Sequence, residues 1–220
     1  MSSLHHEVDG RLAEPLTASL DRTGNLVTSI IPPGYERYVR ILNPIETNDG
    51  SVIRWSNVVE RNGLELSPWM QWDELRAHPG AVLPADGAEP AMGNPPPSLA
   101  RALIRELRVD DDRYYFASWI GYAEASSQAI IEFSPSGREM ALYSGSLIDE
   151  EGSAVVPVTV AGRVPMYWWP KNLRWCVGQD LYARSLIVGC DLTTAGRILA
   201  APDLDSYLIR ESDMVPSEDF

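Results

Sequence analysis

The spacing of hydrophobic residues changes from a helical to an extended period roughly midway along the chain. Before the change, a run rich in β-branched and aromatic residues, Tyr35 to Leu42, predicts a strand. Leu99, Leu103 and Leu107 recur at every fourth position, which predicts a helix capped by Ser98. Two shorter helices are predicted from their end signals and apolar spacing, from Ser56 to Asn62 and from Pro68 through Leu75.

After the change, extended runs separated by turn residues predict a series of strands. They are Tyr114 to Tyr122, Gln128 to Phe133, Arg138 to Leu147, Ala154 to Val160, Leu173 to Leu181 and Arg184 to Cys190, with turns at Ser134–Gly137 and Tyr182-Ala183. Asp191 caps a final helix from Leu192 to Ala200. The predicted fold class is therefore α+β, an antiparallel sheet with a few packed helices in a single domain.

Three segments fall outside this pattern. Residues 1–25 are predicted to be a loose N-terminal arm, with a short helix from Leu12 to Leu20 as the alternative. Residues 78–97 hold six prolines and three glycines without a hydrophobic period, so we expect a long surface loop within a single domain of residues 26–210. A linker between two domains is the alternative. Residues 211–220 are predicted to be a solvated acidic tail.

Net charge excludes one class of partner. The 220 residues include 18 basic and 31 acidic side chains, for a net charge of −13. Such a surface offers no net attraction to nucleic-acid phosphates, so we expect no direct nucleic-acid binding. The longest apolar runs are far shorter than the ~20 residues that cross a bilayer. The first residues lack the basic and apolar regions of a secretory signal, so we expect no membrane association and a cytoplasmic location.

Several ordered blocks carry a resemblance. They are Pro33 to Pro44, Arg54 to Gly63, Met70 to Trp72, Trp119 to Tyr122, Trp169-Pro170, Arg174 to Val177 and Val188-Gly189. In order and spacing, these blocks are similar to those of a family of uncharacterised actinobacterial proteins. The chain departs from that family at Gly189-Cys190, where the family has two glycines, and at Leu181 to Ala183, where it has an acidic-aromatic pattern. The resemblance implies a shared fold, and it implies no activity and no site residue.

Cys176 and Cys190 are a candidate thiol pair. If the two strands around Tyr182-Ala183 are joined by a loop one residue longer than the tightest turn, the cysteines lie opposite each other. Directly opposed residues have Cβ atoms about 4.5–5.5 Å apart, within reach of a bridge after small adjustments. A redox switch or half of a metal site is one interpretation. The other is two reduced thiols packed as small apolar side chains, as intracellular proteins favour.

Sequence motifs for catalysis or for a bound metal are missing. The histidines lie in predicted loops or tails, and the acidic runs lack the spacing of a calcium loop. These residues are His5, His6 and His78, then Asp73-Glu74, Asp110 to Asp112 and Asp149 to Glu151. Ser144-Gly145-Ser146 is not a nucleophile elbow. We therefore predict no catalytic residue, no metal site and no cofactor, and we favour a protein that is not an enzyme.

Tryptophan is the most informative residue type. The chain has seven tryptophans against three phenylalanines, and Trp168, Trp169 and Trp175 cluster in sequence near Asp180. Indole rings stack on sugars, bases and cations and are common at protein interfaces. The alternative is that these rings fill the core.

Two functional hypotheses follow from the sequence. The first is a non-enzymatic acidic binding or regulatory module that acts through a protein partner, by analogy with immunity or phage accessory proteins. The charge favours a basic partner, because complementary fields speed encounter. The alternative is a small-molecule binder or an unrecognised enzyme, with a pocket formed by Trp168, Trp169, Trp175 and Asp180.

Overall fold

Runs of β-branched and aromatic residues pair into one large antiparallel sheet in the computed structural model, which describes residues 4–21, 25–107, 109–110, 113–121, 131–133, 137–159 and 162–216. The strands are β1 (His5–His6), β2 (Arg37–Leu42), β3 (Ile45–Glu46), β4 (Val52–Ile53), β5 (Tyr114–Trp119), β6 (Ile131–Phe133), β7 (Arg138–Gly145), β8 (Tyr167–Pro170), β9 (Cys176–Gly178), β10 (Ser185–Cys190) and β11 (Ser206–Ile209). The helices are α1 (Glu14–Thr17), α2 (Trp55–Arg61), α3 (Trp72–Ala77), α4 (Pro97–Glu106) and α5 (Leu192–Ala200). The predicted α+β class, an antiparallel sheet with packed helices, is confirmed.

The sheet has the strand order β1-β7-β5-β8-β9-β10-β2-β11, and β6 also pairs with β7. β3 and β4 form a separate two-stranded ladder. Every pairing is antiparallel, which hairpins and short connections allow without crossover helices. Every residue of the central strand β10 is buried, so both faces of the sheet are covered.

Side chains on alternate positions of the sheet enter two different cores. One core contains Val39 and Val188 together with Leu103 of α4 and Ile198 of α5. We call this side the helix-covered face. The opposite core holds Ile187 of β10 and is covered by the chain from the N terminus to β2, including the buried Leu16.

A third cluster forms a small lobe beside the sheet. Trp55 of α2 and Trp72 of α3 meet edge to face with their ring centroids 5.2 Å apart, and Leu42 at the end of β2 joins them. Arg40 ties this lobe to the sheet. Its fully buried guanidinium donates to the Ser185 hydroxyl at 3.0 Å and to the carbonyl of Pro68 at 2.8 Å.

Described residues in the predicted N-terminal arm and in the predicted acidic tail pack against the rest of the chain. β1, in the predicted loose arm, pairs with β7, with His5 opposite Ser144. Leu16 and Leu20 are no more than 5% exposed, so burial of apolar residues holds residues 4–20 in place. The predicted helix from Leu12 to Leu20 is a short 3-10 turn, Gly10–Ala13, followed by the four residues of α1. Within the predicted acidic tail, Val215 is buried and its N–H donates to the Asn25 carbonyl at 2.7 Å, whereas Glu211, Ser212 and Met214 are exposed.

One predicted strand does not form. In the described part of Ala154 to Val160, Ala154 makes a single bridge to Ile148, and no strand forms there. This apolar run packs on the helix-covered face as a loop, so its hydrophobicity reflects burial without pairing. β8 and β11 were not predicted as strands. Tyr122, Gln128 to Ile130, Ser134 to Ser136, Val160 and residues 217–220, which several sequence predictions include, lie outside the described residues.

The Pro/Gly-rich segment 78–97 differs from the exposed loop expected from its composition. Its first part is largely exposed, but Pro90, Gly93, Pro95 and Pro96 are buried. Proline lacks an N–H group, so the carbonyl oxygens of this segment are the groups that most need partners. Side chains of residues next to the strand ends supply them: Arg184 donates to the Pro90 carbonyl at 2.7 Å, Asn43 to that of Ala91 at 2.8 Å and Gln179 to that of Gly93 at 3.1 Å.

None of the helices in the described ranges combines the length and the apolar character that a bilayer crossing requires.

Gly93 gives a test of how firmly this segment is held. Its φ is +64°, and a Cβ built there would lie 1.7 Å from the Leu181 carbonyl oxygen. We expect Gly93→Ala to lower the free energy of unfolding by more than about 3 kcal/mol, because backbone strain and a backbone clash add. Gly87 is the matched control, since its φ is +67° and nothing lies near its Cβ position.

Urea denaturation of both variants measures the difference. We expect Gly87→Ala to cost only the strain of a positive φ, about 1–2 kcal/mol. Equal losses in the two variants would show that the segment moves aside at no cost, contrary to the packing described.

Candidate functional site

The three tryptophans predicted to line a pocket are core residues. Trp168 and Trp169 are neighbours on β8, so their side chains enter opposite cores, and they are 0% and 2% exposed. The indole N–H of Trp168 donates to the Pro165 carbonyl at 2.6 Å. Trp175 is 1% exposed and stacks on Tyr114 with centroids 5.8 Å apart. The predicted cluster is therefore divided by the sheet itself, and its rings are not accessible to a ligand.

Asp180, the fourth residue of that predicted pocket, is held by an arginine. Its carboxylate receives two hydrogen bonds from Arg138, at 3.0 and 3.3 Å. The Arg138 guanidinium also lies 5.9 Å from the Trp119 ring centroid and 5.8 Å from that of Tyr182. Side chains of both ion-pair members are under 20% exposed. This paired carboxylate fastens the β9–β10 turn to β7.

The two cysteines are not opposite each other. The observed register places Cys176 opposite Gly189, one residue short of the predicted pairing. A one-residue shift turns a side chain to the other face of a sheet. Cys176 therefore packs in the core beneath the N-terminal segments, whereas the Cys190 side chain belongs to the helix-covered core. Both are free thiols, and this geometry supports the interpretation as small buried apolar side chains.

Among the described residues, no three histidine, cysteine or acidic side chains lie close enough together to hold a metal ion.

An open cleft occurs where the segment before β2 passes the N terminus of α5. We call it the Tyr35 cleft, and its volume is about 360 Å³. Its apolar walls come from three segments that are distant in sequence: Pro15, Pro32, Pro33, Tyr35 and Leu173. Of the sequence-predicted site residues, Cys190 is in its lining.

Tyr35 is placed by a glycine. A Cβ on Gly189 would lie 2.4 Å from the Tyr35 ring, so the ring lies directly against the backbone of β10. The Tyr35 N–H donates to the hydroxyl oxygen of Tyr38 at 3.2 Å, which fixes the turn into β2. Burial raises the pKa of Tyr35 well above its ordinary value, and the nearby Cys176 adds to the effect. This tyrosine is therefore a neutral wall of the cleft and not a source of charge.

Two carboxylates stand at the α5 end of the cleft. Asp191 caps α5, as predicted, by accepting from the Thr194 N–H at 2.6 Å. Glu36 accepts from the Leu192 N–H at 2.8 Å, so both acids bind one helix end. These two contacts fix the positions of the Glu36 and Asp191 carboxylates at the N terminus of α5.

Among the described lining residues of the cleft, the cationic one is Arg174, and its charge is paired. Arg174 makes an ion pair with Asp110, which lies outside the lining. Leu173, just before it, has a φ of +52°, an unfavourable conformation for a non-glycine residue. Such strain persists where surrounding structure holds it, and it is often found at ligand sites. The cleft therefore combines apolar walls, two oriented carboxylates and a strained rim residue.

Sequence reasoning missed the cleft for a physical reason. Tyr35 and Glu36 were interpreted as the start of a strand, and Asp191 as a cap. Each interpretation is local, whereas the cleft depends on which strand lies beside β2. A usable signal was present in Pro32-Pro33-Gly34, because a rigid turn beside an aromatic and an acidic residue is an unusual start for a strand.

The Arg138–Asp180 pair predicts a stability change. We expect Arg138→Ala to lower the free energy of unfolding by about 2–3 kcal/mol, because it leaves the mostly buried Asp180 carboxylate unpaired. Arg76→Ala is the control, since Arg76 pairs with Asp73 at 2.8 Å with both side chains over half exposed, and we expect a loss of under about 1 kcal/mol.

A double-mutant cycle with Asp180→Asn tests the pair directly. We expect Arg138→Ala to lower the free energy of unfolding by less in the Asp180→Asn background, because that background has no buried carboxylate to leave unpaired. Additive effects in urea denaturation would contradict a coupled pair.

The buried thiols predict alkaline destabilisation. Burial raises the pKa of Cys190 to about 12, with the Asp191 charge contributing, and burial raises that of Cys176 further. The ordinary thiol value is 9.0. As the pH rises through this value the unfolded chain loses protons that the folded chain keeps, so stability is full well below pH 9.0 and falls as the pH passes it. We expect each thiol to lower the free energy of unfolding by about 1.4 kcal/mol between about pH 8 and pH 10.

Urea denaturation across this pH range measures the loss. The Cys176→Ala/Cys190→Ala variant is the reference at each pH, and its free energy of unfolding should fall less over this range. The loss that remains comes from tyrosines such as Tyr38 and Tyr207, whose pKa burial also raises. An unchanged pH dependence in that variant would show that other groups cause the loss.

Comparison of the chain with protein-family models, with curated proteins and with solved structures finds no match, so the functional argument depends on the residues and their geometry.

Proposed function

We propose that the chain is a non-enzymatic binding module whose Tyr35 cleft takes a basic side chain of a protein partner. The observation that carries the proposal is the pair of carboxylates, Glu36 and Asp191, oriented by one helix end beside apolar walls. Arginine and lysine side chains have the matching form, an apolar stem with a charged head. The stem packs on Pro32, Pro33 and Tyr35, and the head donates to the carboxylates.

The charge of the site supports a cation. Glu36 and Asp191 contribute two negative charges to the lining, and the positive charge of Arg174 is offset by Asp110. The net charge of −13 extends the same sign over the molecule and would steer a basic partner towards it. Affinity would then come from the cleft, and rapid encounter from the overall field.

The dimensions of the cleft favour a second candidate, a small organic amine. A volume of about 360 Å³ lies near the lower end of the roughly 300–1,000 Å³ typical of small-molecule sites. The amine would use the same two carboxylates. The tryptophan-lined pocket, proposed from sequence for a small-molecule binder or an enzyme, has no support in the structure because its rings are buried.

Short blocked peptides test the first proposal. We expect acetyl-Gly-Arg-Gly-amide to shift NMR resonances of Tyr35 and Leu192, with weak affinity of about millimolar Kd for a single side chain. The same peptide with glutamine in place of arginine should bind at least about fivefold more weakly, since charge-assisted hydrogen bonds are lost. Methylamine and agmatine give the corresponding test for a small amine.

The variants Glu36→Gln and Asp191→Asn remove charge and keep an oxygen that can cap α5. We expect each variant to weaken binding of the arginine peptide about fivefold. Glu65→Gln, at an exposed position, should leave that affinity unchanged. A partner captured from host lysate should depend on the same two acids. Peptide binding that is insensitive to both variants would refute the proposal, and tight binding of agmatine without peptide binding would favour the second candidate.

A further inference from the structure

A second concave surface lies beyond the other end of α5 and has the opposite chemistry. Arg54, just before α2, and Arg101 and Arg105 of α4 all line a groove of about 360 Å³. We call it the arginine groove. Its apolar floor includes Val52, Leu99 and Ala102. It shares no lining residue with the Tyr35 cleft.

Placing three arginines together is unfavourable unless something compensates them. Arg101 and Arg105 are four residues apart on α4, so their charges repel along one helix face. Arg54 brings a third positive charge to the same groove, and one of its N–H groups donates to the Pro202 carbonyl at 2.5 Å. Since 31 acidic residues are distributed along this chain, three guanidinium groups at one groove stand out against the charge of the molecule.

The nearby acids hold these arginines loosely. Arg105 lies 4.0 Å from Asp203, and Arg54 lies 3.9 Å from Asp205. In the part of the chain that the structure describes, Arg101 has no ion pair. By contrast, Arg11, Arg76 and Arg138 reach their acids at 2.8–3.0 Å.

The acids around the groove are already engaged elsewhere or stand at its rim. Asp205 is 9% exposed and accepts a hydrogen bond from the Ser56 N–H at 2.9 Å, so its carboxylate binds the first turn of α2. Glu46 accepts from the Ser98 hydroxyl at 2.8 Å beside the start of α4. Asp203 is the acid in the lining, and its side chain is 69% exposed. Much of the hydrogen-bonding capacity of the three guanidinium groups thus remains for a ligand.

We propose that the arginine groove binds the phosphate group of a small phosphate ester, whose apolar part lies on Val52, Leu99 and Ala102. Each guanidinium presents a fork of N–H donors that matches two phosphate oxygens, and a phosphate dianion offsets two of the three positive charges. A carboxylate carries one charge and two oxygens, so it fits this groove less well. The proposal is independent of the basic side chain assigned to the Tyr35 cleft.

The binding experiment uses phenyl phosphate as the probe. Isothermal titration at low salt should give a Kd of about 1 mM or tighter, as expected for a small ligand held by several charge-assisted bonds. Phenol lacks the phosphate and should show no binding. Benzoate should bind at least about fivefold more weakly because it carries one charge fewer. Inorganic phosphate should be weaker by a similar factor because it lacks the apolar contact. Added salt should weaken binding.

Variants locate the site. We expect Arg101→Gln/Arg105→Gln to weaken phenyl phosphate at least about tenfold, and Arg54→Gln about threefold to fivefold. Arg61→Gln is the matched control, since Arg61 is an exposed arginine outside the lining and should leave the Kd unchanged. Far-UV circular dichroism confirms that the exposed substitutions leave the fold intact. Equal Kd values for wild type and the Arg101→Gln/Arg105→Gln variant, binding of phenol as tight as that of phenyl phosphate, or no heat up to about 20 mM ligand would each overturn the proposal.

Discussion

The register of β10 between β9 and β2 is the constraint on which the rest of the molecule depends. All six residues of β10 are buried, so each side chain has one correct face. The register places Gly189 beneath the Tyr35 ring, where a Cβ would lie 2.4 Å away, and it places Cys176 opposite Gly189. A shift by one residue would put the Cys190 side chain under Tyr35 and would open the core. The Tyr35 cleft exists because this register leaves a bare backbone for the ring to rest on.

Buried polar side chains attach irregular segments of the chain to the regular sheet. Arg40 holds the segment before α3, and Arg184, Asn43 and Gln179 hold the carbonyls of a proline-rich segment that has few N–H donors. Such segments contribute little apolar burial of their own, so hydrogen bonds in a water-poor environment decide their path. The two concave surfaces lie beyond opposite ends of α5.

Several strands inside the sheet, each paired on both sides, are predictable from composition. Buried strands of an antiparallel sheet are rich in β-branched and aromatic residues. β2, β5, β7 and β10 are examples. β8 is not among the predicted strands, because the sequence leaves its tryptophans open between a ligand-stacking cluster and core packing. Neighbouring residues on a strand point to opposite faces, and Trp168 and Trp169 accordingly enter opposite cores. The predicted pairing of Cys176 with Cys190 is wrong by one residue for a related reason. Local turn signals do not specify register to one position, whereas the packing of both cores does.

The sequence by itself determined the α+β class, the helix from Leu192 to Ala200 with its Asp191 cap, and the acidic charge, since each follows from short-range spacing or from counting. Only the tertiary structure decided which residues meet at the surface. Glu36 and Asp191 are 155 positions apart, yet they bind one helix end, and Arg54 and Arg105 line one groove although they are distant in the chain. Sites of this kind are set by long-range packing, because closing a long loop is favourable only when the whole core forms with it.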